Sequence, residues 1–279
     1  MLRVKHLLKI ALLLAIIISS CSTDDSLTAE SNKCRLTKYG LVITPRPSGN
    51  DTIYRNEVDY INSKIVVRSN FGSDPIINYW RLLSKDSAIY DQQNRIAKIY
   101  HINTRYTLES KIERYSEFIY DSFNHRPSKI KETRYQLSDN FSYIISEDII
   151  YNEHNQIAQT LSINSTYRIN TLTNYSYGEN RNLSKIVQVN ERTVPVSQNN
   201  EEIRVDSIVA TFRNYDDKIN PFQSLPFLNL KGFSDSPNNF TFRDELRYED
   251  GEIRSAASSG YKFEYNDMGY PLIGEYDCQ

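Results

Sequence analysis

The chain has 279 residues and a formal net charge of −2, with 33 basic against 35 acidic residues. So even a balance leaves no electrostatic footprint for nucleic acid and argues against that partner class. Tyrosine is the dominant aromatic with 21 copies, while glycine and proline number nine each, a bias that favours strands over helices.

Arg3, Lys5 and Lys9 flank the start of an unbroken apolar run from Ile10 to Ile18. That run is too short for a spanning helix and has the build of a secretory h-region, so residues 1–20 are expected to be a signal peptide outside the fold. The following Ile18-Ser19-Ser20-Cys21 resembles the lipobox of bacterial lipoproteins. The resemblance implies that Cys21 carries a lipid and that the mature chain is attached to a membrane without spanning it. Ordinary cleavage, with Cys21 a bystander, is the alternative. Residues 21–33 are polar and read as a flexible tether. The patch Ser22-Thr23-Asp24-Asp25-Ser26 resembles the surface-export signal of Bacteroidetes lipoproteins, a plain linker being the other reading. Without residues 1–20 the basic count falls by three and the acidic count is unchanged, leaving a net charge of −5.

Residues 34–279 are expected to form a single all-β domain. Cys34 and Cys278 stand at its two ends, where an oxidising compartment allows a disulfide; two free thiols are the alternative. Trp80, the only tryptophan, lies in Ile76-Ile77-Asn78-Tyr79-Trp80 and reads as core. The organising stretch follows at Ile89-Tyr90-Asp91-Gln92-Gln93-Asn94-Arg95-Ile96-Ala97-Lys98-Ile99. It returns from Tyr120 and Tyr151, and more weakly from Tyr177, Tyr248 and Tyr265: tyrosine, a polar turn with Asn, Asp or Gly, then an apolar residue. From Tyr90 through Tyr120 and Tyr151 to Tyr177 the steps are 30, 31 and 26 residues, a period that fits one hairpin per repeat. Ile96 to Leu108 alternates, with Ile96, Lys98, Tyr100 and Ile102 on the more apolar face and Ala97, Ile99, His101 and Asn103 on the more polar one. A half-buried strand is expected to bury the former. A lone hairpin is marginal in water, so the hairpins must pair edge to edge in a large curled antiparallel meander, an open or partly closed barrel-like sheet. The repeat breaks near 216–239, where Asn220-Pro221-Phe222 begins an irregular apolar segment expected to plug an open end or face of the sheet, an exposed binding surface being the alternative.

The Tyr-Asp…Asn/Gly…Ile/Leu…Lys-Ile grammar resembles the YD (Rhs-type) repeat. With the lipobox and Tyr215-Asp216-Asp217-Lys218-Ile219-Asn220-Pro221-Phe222, it resembles a group of Bacteroidetes lipoproteins containing a domain of unknown function. The resemblance spans Tyr90 to Ile273. It implies an outer-membrane lipoprotein facing the cell surface or the periplasm, and it transfers no catalytic residues. Rhs shells need many more copies, so their toxin-enclosing role does not carry over.

Signs of chemistry are few. His101, His125 and His154 have no Cys or acid at metal-ligand spacing, so no metal site is expected. Nucleophile-elbow, Walker and dinucleotide motifs are absent, and no cofactor or catalytic residue is expected. Asp-Ser/Thr-apolar triplets place Ser26, Thr52, Ser87 and Ser207 in sequences that resemble the O-glycosylation sequon of exported Bacteroidetes proteins, which implies exposed loops there. The leading expectation is a lipid-anchored, non-catalytic binding or scaffolding module with a protein or glycan partner. A glycan-binding accessory lipoprotein of a polysaccharide-uptake system comes second, favoured by an exposed aromatic cluster in a concavity. A glycan-acting enzyme would need two carboxyls in one cleft. A transmembrane barrel fits the tall strands but conflicts with the lipobox and with strands this polar.

Overall fold

In a computed structural model, residues 35–42, 53–61, 64–74, 79–104, 111–121, 125–135, 141–178, 180–197, 200–224 and 236–278 are described. Among them are fifteen strands: β1 (Arg35–Val42), β2 (Ile53–Ile61), β3 (Lys64–Asp74), β4 (Tyr79–Tyr90), β5 (Ile96–Asn103), β6 (Lys111–Ile119), β7 (Lys129–Tyr135) and β8 (Ser142–Tyr151). The second half comprises β9 (Ile157–Asn164), β10 (Ile169–Tyr177), β11 (Leu183–Ser197), β12 (Asn200–Ile219), β13 (Asn238–Glu249), β14 (Glu252–Gly260) and β15 (Gly274–Asp277). They form one antiparallel sheet in simple chain order from β14 back to β1, with β15 added beyond β1.

The sheet is curled. Laid flat, β14 and β15 would stand about 65 Å apart at the ordinary strand spacing. The thirteen residues 261–273 join them, and a fully extended link of that length reaches only about 50 Å. Tyr265 pairs with Pro271, so the link doubles back and reaches less still. Curling also brings Phe222, in the 3-10 turn Pro221–Ser224 after β12, against Tyr39 of β1, with ring centroids 5.4 Å apart. The sheet is therefore an open, barrel-like meander whose edges β14 and β15 are not paired with each other.

The repeat turns after Tyr90, Tyr151, Tyr177 and Tyr265 fall at one end, and the Tyr248 turn, between β13 and β14, falls at the other. In the first four, residue 91, 152, 178 or 266 donates its N–H to the carbonyl four residues on, at 2.8–2.9 Å. The fourth turn residue has positive φ: 63° at Asn94, 60° at Asn155, 60° at Arg181 and 79° at Gly269. Asn tolerates that conformation and glycine adopts it freely. The Asp91, Asn152 and Asn266 side chains accept the N–H of Arg95, Gln156 and Tyr270 respectively, at 2.8–3.0 Å.

The repeat tyrosines hold hairpin to hairpin. Tyr60, Tyr90, Tyr120, Tyr151 and Tyr177 donate their hydroxyls to the carbonyls of Leu36, Ile65, Ile96, Pro127 and Ile157, at 2.8–3.0 Å. Tyr215 does the same to Leu183. Each acceptor is the first apolar residue after the previous hairpin's turn or strand start. In four cases the residue before it is basic and lies over the ring: Arg35, Lys64, Arg95 and Arg126, 4.2–5.8 Å from the centroids. A hydroxyl–carbonyl bond and a cation–π contact thus recur along the sheet.

Four of these tyrosines, and Tyr248, mark β-bulges. Tyr90 faces Ile96 but Ile89 faces Lys98, which leaves Ala97 as an extra residue. Val66, Ala158, Ser184 and Arg254 are extra in the same way beside Tyr60, Tyr151, Tyr177 and Tyr248. Bulges increase twist and bend the strand, which suits a sheet that must roll up.

The buried side chains gather at the repeat-turn end. One cluster joins Leu36, Tyr39, Val58, Ile99, Phe118 and Phe222, and a second joins Tyr175, Leu183, Ala210, Phe212 and Phe240. Phe222 and the 261–273 link, through Tyr261 and Ile273, pack into these clusters. The face of β5 expected to be buried is not the one that is. The bulge at Ala97 puts Ile96 and Ile99 together on the inner face, with His101 and Asn103 following, while Lys98, Tyr100 and Ile102 turn outward. Trp80 lies in β4, but its side chain is outside the described residues.

Candidate functional site

The inner face of β3 to β8 carries a row of directly opposed polar residues. Successive ladders pair Arg68 with Asp86, Asp86 with His101, His101 with Arg114, Arg114 with Arg134, and Arg134 with Tyr143. Opposed residues share a face, so six strands place one side chain each in a single line. Asp86 is almost fully buried and bridges two partners: Arg68 Nη2 lies 2.5 Å from Oδ2, and Oδ1 is bonded to His101 Nδ1. Burial pushes the Asp86 carboxyl up, but the His101 bond and the Arg68 guanidinium outweigh it and hold the carboxyl below its usual range. Tyr39 lies beside Arg68; burial pushes its hydroxyl up and the guanidinium pulls the other way.

Beyond His101, a second bulge turns Glu113 inward beside Arg114. Glu113 Oε2 accepts from Asn103 Nδ2 at 3.0 Å and lies 3.6 Å from His101 Nε2. Glu132 lies between two arginines, with Arg134 Nε at 2.5 Å and Arg114 Nη1 at 3.7 Å. Glu113, Arg114, Arg134, Tyr135 and Tyr143 line a cleft of about 200 Å³. Phe141 and Tyr167 extend its aromatic side: their centroids are 6.4 and 5.0 Å from that of Tyr143, and both rings are more than 40% exposed.

This arrangement can hold a polar ligand through guanidinium, carboxylate and imidazole groups beside aromatic rings. The Asp86–His101 pair has the geometry that orients an imidazole, but its distal nitrogen faces a carboxylate rather than a hydroxyl or thiol. Among the described residues no three His, Cys, Asp or Glu side chains come together as a metal site.

Cys21, Ser26, Cys34 and Thr52 lie outside the described residues. Cys278 follows β15 directly and is disulfide-bonded. Ser87 and Ser207 stand mid-strand in β4 and β12, on the outer face, rather than in the loops that the sequon resemblance implied. Ser87 follows the buried Asp86, and Ser207 precedes Ile208 on the strand that buries Ala210 and Phe212. His125 and His154 are exposed in or beside turns. The acidic neighbours of His101 are fifteen residues before it and twelve after it, so only strand register brings them together.

No known family matches the chain, and no curated protein matches it. Among solved structures it is similar to a porin-like protein from Bacteroides uniformis ATCC 8492. The identity is 9%, with 85% of this chain and 87% of that chain covered, and the TM-score is 0.48. A likeness of that size carries nothing about activity.

Proposed function

We propose that the chain is a non-catalytic binding or scaffolding module of the bacterial cell envelope, held at the outer membrane by a lipid on Cys21 and related to the YD-repeat lipoproteins. The observation that carries the non-catalytic reading is the charge compensation of the inner row. Asp86 is engaged by Arg68 and His101, and Glu132 by Arg114 and Arg134, so these carboxylates serve as struts rather than as free acids or bases. The recurrent tyrosine clasp supports the same reading, because it uses the repeat residues to stiffen a frame.

Native cells producing the wild type or Cys21→Ser, fed a labelled fatty acid and treated with external protease, test the anchor. Label on the wild type alone, with membrane retention, is the expected result. An unlabelled wild type in the soluble fraction overturns it. Loss to protease on intact cells assigns the protein to the surface, and loss only after lysis assigns it to the periplasm.

The glycan-binding reading is favoured by one observation, the cleft with Tyr143 in its wall and Phe141 and Tyr167 beside it. Aromatic rings next to planar polar groups suit pyranose stacking. Affinity electrophoresis against a polysaccharide panel tests it. Retardation lost in Tyr143→Ala and Tyr167→Ala supports the reading, and the absence of retardation by any glycan removes it.

A further inference from the structure

Fifteen strands is an odd number, with a consequence for the seam. β14 runs towards the repeat-turn end, as does every even-numbered strand. β15, antiparallel to β1, runs the same way, since Asp277 sits opposite Arg35 at that end. Direct closure would therefore pair β14 and β15 in parallel, whereas a strand running the opposite way is antiparallel to β14.

The two edges are protected unequally. β15 is only four residues long and carries Glu275 and Asp277, two devices that discourage strand addition. β14 has nine residues, all exposed, and among the described residues it pairs with β13 alone. From Ser255 to Gly260 it reads Ser-Ala-Ala-Ser-Ser-Gly, without charge, proline or bulky side chain. Nothing in that half of the edge resists an incoming backbone.

What lies behind the edge specifies the occupant. Ser255, Ala257 and Ser259 oppose Arg247, Glu245 and Arg243, and Arg243 opposes the buried Phe212, so this is the inner face. Glu245 is shared by both arginines, leaving two cations for one carboxylate, and the Arg247 side chain is 60% exposed. An added strand would stand two strand spacings, about 10 Å, from that row. Only small side chains intervene. We infer that the free edge of β14 is a strand acceptor for an extended segment of a partner protein, one that carries acidic side chains at alternate, inward-facing positions. Backbone hydrogen bonds supply the affinity and the Arg243–Glu245–Arg247 row supplies the charge preference. The inference rests on the reading of the chain as a binding module and names the kind of partner.

The test uses the full mature chain and two fluorescent ten-residue probes, one alternating Thr and Glu and one alternating Thr and Lys. The Glu probe is expected to bind at least tenfold more tightly. Ala257→Asp, at an exposed position that keeps every backbone donor, should weaken it about tenfold, and Arg247→Glu should remove the preference. Ala256→Pro and Ala257→Pro form a paired control. The one whose N–H points away from β13 should melt like the wild type and still lose binding. Equal binding of the two probes, or undiminished binding by that proline variant, overturns the inference. So does a concentration-dependent dimer that the same variant abolishes, because a second copy would then fill the edge. In-cell cross-linking separates this failure from that of the wider reading. Adducts shared unchanged by wild type and proline variant remove the edge and leave the module. Absence of adducts in both removes the module as well.

Discussion

Replacing Tyr120 with Phe isolates the contribution of one clasp. The ring stays, and with it the Arg95 guanidinium 4.2 Å from the centroid; what is lost is the 2.8 Å hydrogen bond to the Ile96 carbonyl. A half-buried bond of this type contributes about 1 kcal/mol net. For a domain of this size that corresponds to a fall in Tm of roughly 2–4 °C. Tyr60, Tyr90 and Tyr120 recur at every second strand, about 10 Å apart, so the triple Phe variant should sum to about 3 kcal/mol. Urea titration followed by circular dichroism measures both. The tyrosines also predict behaviour at alkaline pH. Burial is the main cause that pushes the phenols of Tyr60 and Tyr120 up to about 12. A folded-state value above the unfolded one, roughly 10, means that this contribution is complete below pH 10 and is lost between pH 10 and 12. The wild type should therefore lose its advantage over the triple variant across that window. A triple variant within about 0.5 kcal/mol of the wild type at pH 7 would refute the clasp, since three lost bonds of the stated strength could not hide there.

Removing the Asp86 carboxylate in Asp86→Leu leaves Arg68 with its charge and without its 2.5 Å partner, and should cost about 3–5 kcal/mol. Adding Arg68→Leu should recover most of that loss in a double-mutant cycle. Because the Asp86 carboxyl is held below its ordinary value, its contribution is present above pH 4 and is lost as pH falls below it, which acid unfolding of wild type against Asp86→Asn will read. Gly251→Ala should cost about 1 kcal/mol through backbone strain alone, as φ is 85° there and an added Cβ meets nothing within 4 Å. Cys278 is disulfide-bonded and follows Asp277, which pairs with Arg35, so we propose Cys34, the residue before Arg35 in the sequence, as its partner. Reduction, or Cys278→Ser, should then lower stability by up to about 5 kcal/mol, and a peptide map containing a Cys21–Cys278 link would refute the pairing.

What the sequence disclosed is what depends on a few adjacent residues. The turns were legible because Asn94, Asn155 and Gly269 are residue types that accept positive φ, and an Asx side chain closes each loop locally. The meander was legible because consecutive hairpins at a steady period have little choice but to pair. Tyr60 is hard to recognise as a repeat member because only Asn62 and Ser63 separate β2 from β3, so the longer polar stretch that marks the other units is missing from the sequence.

The inner row was illegible for a different reason, and the tyrosines explain it. Asp86 faces His101 only because Ala97 is an extra residue; without it Asp86 would face Tyr100 and His101 would turn outward. A one-residue slip exchanges the two faces of a strand. Alternation read straight on from Ile96 therefore assigns the wrong face to residues 98–103. The extra residue stands second after the turn in five hairpins, each time beside a repeat tyrosine. In four of the five that tyrosine bonds a carbonyl of the preceding hairpin, which fixes its position while the return strand gains a residue. The face assignment should therefore restart one residue later after each Tyr-turn-apolar unit. By that rule Ile99, His101 and Asn103 fall inside together, and the line from Arg68 to Tyr143 follows from strand register.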